Sequence, residues 1–238
     1  MLKKSYLRNA ALFLSMAGLL SSCLKDEEVI TGYGDAYILV EINGQDTLKG
    51  LGLHAWSYSD FSAVKVTSPV TSAPELTLQP YLGYKQDFIL ETPLSGMTKT
   101  LPAAGNYLFL ATYADGSTLN FTNELYPDFI LPPQIKTAAF NQSAQRVDVT
   151  WGNVVYAHSY NVKLINAEGK VLFLSPELSN SVTDFSFSRN TQGWQTGDYP
   201  ANGTTLTIEV AAYHKEKNTP LNKLQCVARS RKSITWGS

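Results

Sequence analysis

The chain has 238 residues and a net formal charge of −1, and it is 44% hydrophobic and 16% charged. Because it has no excess of basic residues, it lacks the positive field that nucleic-acid binding requires, and we expect no nucleic-acid partner. Aromatic residues make up 11% of the chain, and no 3.6-residue periodicity is sustained. This combination favours an all-β protein over a helical one.

The first 22 residues have the pattern of a signal peptide. Lys3, Lys4 and Arg8 precede an apolar run, "AALFLSMAGLL". The run is shorter than the roughly 20 apolar residues of a membrane-spanning helix, but it matches a signal-peptide h-region, which has about 7–15. We therefore expect residues 1–22 to be removed. The three basic residues leave with them, so the formal charge changes from −1 to −4.

The apolar run ends in Leu20-Ser21-Ser22-Cys23. Leucine, two small residues and a cysteine resemble the lipobox of bacterial lipoproteins. This resemblance implies that Cys23 receives diacylglycerol and becomes the first residue of a membrane-anchored chain, in which each buried CH₂ contributes about 0.8 kcal/mol. The alternative is an ordinary secretory signal with Cys23 as a free thiol. Lipidation leaves Cys226 without a cysteine partner, and we predict that it is a small apolar strand residue rather than a nucleophile.

Charged residues follow this cysteine almost directly: Lys25, Asp26, Glu27 and Glu28. Such a run has no aromatic residue to bury, so we predict that residues 23–33 are a solvated tether. The run also resembles the surface-export signal of Bacteroidetes-type lipoproteins, in which a Lys or Ser precedes several acids. That resemblance implies display on the outer face of the outer membrane. Without export, the anchored chain would face the periplasm.

The segment from residue 34 to residue 131 shows the signals of a first β-sandwich. The alternating run "AYILVEI" (36–42) is followed by Asn43-Gly44, a strong hairpin signal, and then by a second alternating run. Further on, "GNYLFLATYADG" (105–116) resembles strand F and the following turn of immunoglobulin-like domains, with Tyr107 in a corner-like position. We therefore expect an immunoglobulin-like sandwich in this half.

A second sandwich is predicted for residues 132–238. The segment "YPDFILPPQ" (126–134) has three prolines, which prevent regular strand pairing and favour an extended connector. We place the boundary near Leu131. Each side then holds about 100 residues, enough for a sandwich with its own core, and the sequence predicts two tandem sandwiches.

The second half has the clearer strand pattern. Val147, Val149 and Trp151 share one face of "QRVDVTW", and similar alternation occurs in "SYNVKLI" and "LTIEVAAY". Together these segments resemble a fibronectin type III domain with Trp151 in its core. One departure is Leu206, which stands where such domains carry the tyrosine corner, so the hydrogen bond of that hydroxyl is expected to be absent.

Sequence motifs of catalysis are absent. The chain has no Gly-x-Ser-x-Gly elbow, no Gly-x₄-Gly-Lys phosphate loop and no His-Glu-x-x-His zinc helix. Its histidines, His54, His158 and His214, have no metal-ligand spacing. We interpret "GYGDA" (32–36) and "NAEGK" (166–170) as turns rather than anion-binding loops. We therefore expect no enzymatic activity, no cofactor and no metal.

A glycan hydrolase is an alternative, because the two carboxylates of such a site lie about 5–9.5 Å apart in the fold and follow no fixed spacing in the sequence. Acids at strands or strand ends could pair in this way: Glu41, Glu91, Glu124 and Glu209. Fold alone does not decide this question.

An aromatic pair in the segment "RNTQGWQTGDYP" (189–200) is the first candidate for a binding surface. Trp194 and Tyr199 lie there among Gly, Gln, Asn and Thr, without strand periodicity. An aromatic ring offers an apolar face to the C–H groups of a sugar, and neighbouring amides together with Asp198 would bind hydroxyl groups. The alternative is that Trp194 folds back to cap the sandwich, as large aromatic side chains commonly do.

A second candidate lies in "LHAWSYSDF" (53–61), where His54, Trp56 and Tyr58 alternate along one strand face. Alternation is also the pattern of a core face, so both interpretations stay open. In addition, Asp46-Thr47-Leu48 resembles the Asp-Ser/Thr-aliphatic sequon of Bacteroidetes-type O-glycosylation, which implies a sugar on Thr47.

The sequence therefore predicts a non-catalytic, lipid-anchored outer-membrane protein that acts as a binding or adhesion module. Its partner would be a glycan, or an outer-membrane protein if the chain is an accessory to an uptake complex. The alternative is a structural spacer or assembly subunit that docks a partner protein through its edge strands. A glycan hydrolase is the third hypothesis.

Overall fold

β-Strands make up most of the part of the chain that the structure, a computed structural model, describes: residues 30–195, 197, 199–217 and 223–237. Among these residues there is no α-helix, and their one 3₁₀ turn, Leu94–Gly96, has neither the length nor the apolarity to span a bilayer. The prediction of an all-β protein is confirmed. The predicted signal peptide, lipidation site, acidic run and Asp198 lie outside the described residues.

The first half contains strands β1 to β8. They are β1 (Tyr33–Asn43), β2 (Asp46–Trp56), β3 (Phe61–Thr67), β4 (Leu76–Thr77), β5 (Gln79–Tyr81), β6 (Tyr84–Glu91), β7 (Gly105–Tyr113) and β8 (Thr118–Leu125). The predicted hairpin joins β1 to β2 through a two-residue turn, in which Gly44 has a φ of 63° that glycine adopts without strain.

The second half contains strands β9 to β16. They are β9 (Ile135–Asn141), β10 (Arg146–Trp151), β11 (Ser159–Ile165), β12 (Val171–Leu174), β13 (Leu178–Ser179), β14 (Asp184–Ser188), β15 (Thr205–Lys215) and β16 (Leu224–Thr235). The predicted alternating segments of this half therefore all form strands.

The strands of the first half form a sandwich of two sheets. One has the order β5-β6-β2-β1 and the other the order β4-β3-β7-β8. This is the arrangement of immunoglobulin-like domains, in which strands A, B, E and D face strands C, F and G. Tyr107 occupies the predicted corner position, since its hydroxyl donates a hydrogen bond to the carbonyl of Ala103 at 2.9 Å.

The second half is also a sandwich, with the sheet β14-β10-β9 facing strands β12-β11-β15-β16. Its strand order corresponds to E-B-A facing C′-C-F-G, as in fibronectin type III domains. Trp151 is buried in the core, and its ring lies 5.6 Å from the ring of Tyr160 between centroids. Leu206 is buried in the same core, at the position where these domains carry the tyrosine corner.

The two sandwiches share one sheet. β1 pairs in parallel with β16, with Ile38 opposite Cys226 and Glu41 opposite Arg229, and we call this join the β1–β16 seam. It produces a nine-stranded sheet in the order β12-β11-β15-β16-β1-β2-β6-β5, with β13 also paired to β11. This join is not predicted by the sequence, because pairing between strands so far apart in the chain leaves no local pattern. The division into two folding units near Leu131 stays a prediction.

Both sandwich cores lie on the same face of the nine-stranded sheet. In β1, Gly34 faces the first core, since a Cβ atom there would lie 2.7 Å from the ring of Phe109. Val40 has the same parity as Gly34 and lies opposite Ala228 of β16. Through β15 this face continues to Tyr160, whose ring packs in the second core. We call this the inner face, and its opposite the outer face.

Cys226 lies on the inner face and is fully buried. Burial raises the pKa of its thiol to about 12, so the reactive thiolate is disfavoured at neutral pH. This agrees with the prediction that Cys226 is a strand residue rather than a nucleophile.

The outer face has no covering sheet among the described strands, but its side chains are buried along the seam. An apolar cluster lies there: Tyr37, Leu39, Met97, Ala211 and Val227. Beside it, ion pairs connect strands β11, β15, β16, β1 and β6. They are Lys163–Glu209 (3.2 Å), Arg231–Glu209 (2.8 Å), Arg231–Glu41 (2.7 Å), Arg229–Glu41 (3.1 Å) and Arg229–Glu91 (2.9 Å).

The charges of this network compensate one another. Burial opposes the ionisation of Glu209, but Lys163, Arg229 and Arg231 hold the pKa of its carboxyl below its ordinary value. Burial likewise disfavours the charge of Arg229, but the surrounding glutamates raise the pKa of its guanidinium. Removing Arg229 therefore leaves Glu91 without an ion-pair partner among the described residues and leaves Glu41 with Arg231 alone.

We predict that Arg229→Met lowers the free energy of unfolding by about 3 kcal/mol, because Glu41 and Glu91 lose their shared partner. Lys65→Met is the matched control. It removes an exposed ion pair with Glu75 and is expected to lower stability by less than about 1 kcal/mol. Chemical denaturation followed by circular dichroism measures both, and equal effects would contradict the role of the network in the seam.

Candidate functional site

A cleft of about 510 Å³ opens on the outer face, at one end of the β1–β16 seam. One wall comes from β1 and β2 of the first half, and the other from β11 and β15 of the second half. Its volume lies within the range of about 300–1,000 Å³ that is typical of small-molecule sites, which often form between domains. The cleft therefore has the size and the position of a candidate binding site.

One wall of the cleft is aromatic. Tyr33 of β1 and Trp56 of β2 are cross-strand partners, with ring centroids 5.2 Å apart and ring planes at 31°. Tyr58 packs edge-on against Trp56 at 4.6 Å and is 72% exposed. The two predicted candidates of this segment thus lie together, and Trp56 lines the cleft instead of a sandwich core. Tyr33 was not identified from the sequence.

Most charges at the cleft are paired. Nε2 of His54 lies 2.6 Å from a carboxylate oxygen of Asp87. On the opposite wall, Nζ of Lys215 lies 2.9 Å from the carboxylate of Glu177. The neighbouring Ser159 hydroxyl and then the ammonium of Lys215 hold the pKa of Glu177 below its ordinary value.

Asp35 is the exception. Its side chain is almost completely buried, and its Oδ2 accepts a hydrogen bond from the backbone N–H of Leu224 at 2.7 Å. Its Oδ1 is buried without a hydrogen-bond partner, and none of the ion pairs among the described residues includes Asp35. Burial raises the pKa of this carboxyl to about 7, against the lowering effect of the Leu224 N–H.

An unpaired buried acceptor of this kind costs about 1–3 kcal/mol of stability. Such groups need an explanation in a native structure, and carboxyls with strongly shifted pKa values in a cleft are candidates for function. Because Asp35 lines the cleft, a ligand donor would satisfy its free oxygen.

Asp35 lies in a strand and not in the turn that was predicted for its segment. The segment "GYGDA" (32–36) was interpreted as a turn, and this is wrong, because β1 begins at Tyr33 and includes Asp35. The two glycines suggested a turn, but Gly34 has a different role. A side chain at this position would collide with the Phe109 ring, which packs against the inner face. The available signal was the alternation that continues from Asp35 into β1. The "NAEGK" segment is a turn as predicted, with Gly169 at a φ of 81°.

Trp194 lies away from the cleft and is half-buried. Its indole N–H donates a hydrogen bond to the Ser188 carbonyl at 3.1 Å. Its ring packs against four other aromatic rings: Phe173, Phe187, Tyr199 and Trp236. This geometry corresponds to the capping alternative. Tyr199 is 44% exposed, with the guanidinium of Arg189 5.6 Å from its ring centroid, and a sugar platform at this position stays a prediction.

The remaining candidates also lie outside the cleft. Thr47 is half-buried near the start of β2, and its glycosylation stays a prediction. Glu124 accepts a hydrogen bond from Tyr126 at 2.7 Å. The other acids considered for hydrolysis have arginine partners in the seam: Glu41, Glu91 and Glu209. Among the described residues, no group of three or more His, Cys, Asp or Glu side chains is placed to hold a metal ion.

Comparisons with known proteins show loose similarity to other β-sandwich chains. No protein-family model and no curated protein matches the sequence. A solved cytokine receptor complex aligns over 86% of this chain and 97% of its own, with 10% identity and a TM-score of 0.32. A two-domain fibronectin type III segment from chicken tenascin aligns over 76% and 91%, with 13% identity and a TM-score of 0.27.

A third solved structure is SGBP-B of a Bacteroides ovatus mixed-linkage glucan utilization locus, in complex with a mixed-linkage heptasaccharide. It aligns over 87% of this chain and 64% of its own, with 9% identity and a TM-score of 0.18. Similarities with TM-scores this low say nothing about what this chain binds.

Asp35 predicts a pH dependence of stability. Its pKa of about 7 in the folded chain lies above the ordinary value of 3.8, so between these values the folded chain holds a proton that the unfolded chain has released. The stability that this proton contributes is complete below about pH 4 and is lost as the pH rises to about 7. The loss is about 4 kcal/mol at most, since each pKa unit corresponds to about 1.4 kcal/mol.

We therefore expect Asp35→Asn to unfold with a weaker pH dependence than the unmodified chain between about pH 4 and pH 7. Urea denaturation across this range measures the difference. Asp60→Asn, which changes an exposed acid outside the cleft, is the control and should leave the dependence unchanged. A constant difference between Asp35→Asn and the unmodified chain at every pH would contradict the prediction.

Proposed function

We propose that this chain is a non-catalytic binding module of the cell envelope, and that its ligand is a glycan held in the cleft on the outer face. The observation that carries this proposal is the composition of the cleft. The rings of Tyr33 and Trp56 form one wall, and polar side chains from the other half of the chain stand opposite them.

A sugar has both surfaces that such a cleft recognises. Its C–H faces are apolar and bury well against aromatic rings, which here belong to Tyr33 and Trp56. Its hydroxyl groups both donate and accept hydrogen bonds. Asp35 offers an unpaired acceptor, and the ammonium of Lys215 has donors beyond its contact with Glu177. A purely apolar ligand would leave these groups without partners.

A binding role is favoured over hydrolysis by the sequence and by the cleft. The sequence has no catalytic motif. In the described part of the chain, two acids line the cleft, Asp35 and Glu177, and Glu177 contacts Lys215. Asp35 is then left as a single acid without such a partner among the described residues, whereas glycoside hydrolysis ordinarily uses two carboxyl groups.

We further propose that a lipid on Cys23 anchors the chain at the outer membrane and that the acidic run behind it directs display at the cell surface. The support is the lipobox-like Leu20-Ser21-Ser22-Cys23 and the Lys25-Asp26-Glu27-Glu28 run. A solvated tether of this kind would hold the cleft clear of the lipid headgroups. The proposed glycan would then be met outside the cell, as adhesion or an accessory role in uptake requires.

We expect Trp56→Ala to weaken glycan binding about tenfold or more, because it removes the larger ring of the aromatic wall. The measurement is calorimetric titration of the full chain with a panel of oligosaccharides, in a detergent without a sugar headgroup. Tyr84→Ala is the control, since Tyr84 is an exposed aromatic residue outside the cleft. It should bind as the unmodified chain does.

Absence of binding to every oligosaccharide, or an unchanged affinity of Trp56→Ala, would show that the glycan cleft is wrong. The alternative that the chain docks a partner protein would then be favoured, and it has structural support of its own. Three exposed apolar side chains flank a groove of about 430 Å³ between the connector and the β10–β11 loop: Leu131, Val155 and Tyr156.

Anchoring has its own test. We expect the unmodified chain to sediment with the membrane fraction of its cells and to be degraded by protease added to intact cells. Cys23→Ala should be lost from the membrane fraction, because the thiol that accepts the lipid is gone. Cys226→Ala is the matched control and should stay in the membrane fraction. Protection of the unmodified chain from external protease would refute surface display while leaving the anchor intact.

A further inference from the structure

We propose that the cleft selects glycans that carry a primary amine, and that the ammonium group binds at the free carboxyl oxygen of Asp35. This inference rests on the proposed glycan cleft and names the chemical group that the cleft recognises. It follows from the geometry of Asp35, from the pairing of the other charges, and from the aromatic wall beside it.

The carboxyl group of Asp35 is held in place before any ligand binds. The N–H of Leu224 fixes Oδ2 at 2.7 Å, and Leu224 belongs to β16, so the contact crosses the seam. Oδ1 remains without a hydrogen-bond partner in the described part of the chain, while Asp35 lines the cleft. A ligand that supplies a donor to Oδ1 removes the cost of this unpaired oxygen.

The missing partner is a cation. Two bases that line the cleft already have acidic partners, since His54 contacts Asp87 at 2.6 Å and Lys215 contacts Glu177 at 2.9 Å. Lys223 also lines the cleft and forms no ion pair with Asp35 among the described contacts. A carboxylate in this position therefore gains more from an ammonium group than from a hydroxyl, because the ammonium group adds the attraction of an opposite charge to the hydrogen bond.

The aromatic wall favours the same ligand group. Asp35 lies two residues beyond Tyr33 on the same face of β1, and it is the cross-strand partner of His54, which lies two residues before Trp56. Tyr33 and Trp56 are therefore neighbours of Asp35 on the outer face of β1 and β2. A cation within about 6 Å of an aromatic ring centroid gains about 0.5–2 kcal/mol. An acetamido or hydroxyl group carries no charge and gains neither interaction.

Binding of an amine should release a proton. Burial raises the pKa of Asp35 to about 7 in the free chain, so near neutral pH a substantial fraction of the molecules carries this proton. An ammonium group at Oδ1 stabilises the ionised carboxylate and displaces the proton. The charged and titratable groups around Asp35 are the acids Asp87, Glu177 and Glu216, the bases His54, Lys215 and Lys223, and the phenols of Tyr33, Tyr37 and Tyr213.

The test compares three sets of oligosaccharides of equal length, built from glucosamine, from N-acetylglucosamine or from glucose. Each is titrated calorimetrically into the full chain at neutral pH, in a detergent without a sugar headgroup. We expect the glucosamine oligosaccharides to bind about tenfold more tightly, or better, than either other set. Repeating the titration in buffers of different ionisation enthalpy should show that protons are released.

Asp35→Asn is the decisive variant, because it removes the charge but keeps the size of the side chain and an oxygen for the Leu224 N–H. We expect it to lose the amine preference while it still binds glucose oligosaccharides through Trp56. Asp60→Asn, which changes an exposed acid outside the cleft, should keep the preference. Thermal unfolding of each variant verifies that it is folded.

Failure of this inference is distinguishable from failure of the proposed function. Equal binding of the three sets, still dependent on Trp56, would overturn the amine preference and leave the glycan cleft standing. An amine preference that persists in Asp35→Asn would also overturn the assignment to Asp35. No binding of any oligosaccharide would overturn the proposed function and this inference together.

Discussion

The parallel pairing of β1 with β16 is the constraint on which the rest of this structure depends. Each of these strands would be an exposed edge in its own sandwich, with a row of unpaired backbone N–H and C=O groups. By pairing with each other they satisfy these groups and join two sheets into one of nine strands. The pairing register of β1 with β16 is fixed by which side chains must face the cores. A slip of one residue would turn Val40 toward the outer face and Leu39 toward the inner face.

This join explains why charges are buried along the seam. Both smaller sheets cover the inner face, so the outer side chains at the seam pack against one another and not against a second sheet. Glu41 forms ion pairs there with Arg229 and Arg231 of the neighbouring strand, and Arg231 also contacts Glu209 of β15. Asp35 lies on the same face of β1 but has no ion-pair partner among the described residues. It lines the candidate cleft, which lies beyond the end of the ion-pair network.

Local pattern predicted much of the fold but little of the site. The hairpin after Asn43 and the core position of Trp151 follow from turn chemistry and alternation, which act over a few residues. The corner position of Tyr107 follows from the resemblance of its segment to an immunoglobulin-like strand. Trp56 was among the candidates because its strand alternates, yet alternation does not say which face meets a core. Asp35 was misplaced because glycines beside it resemble a turn, although one of them only makes room for a ring from a distant strand.

The sequence by itself determined most of the strands, the alternation of their side chains, and the lipobox-like segment that predicts an anchor, because each of these depends on neighbours in the chain. Only the tertiary structure decided that the two sandwiches share a sheet and that Tyr33, Asp35 and Trp56 form one cleft with side chains of the second half. The physical reason is that pairing between β1 and β16 depends on complementary edges brought together by folding. No periodicity in the chain records which edges meet.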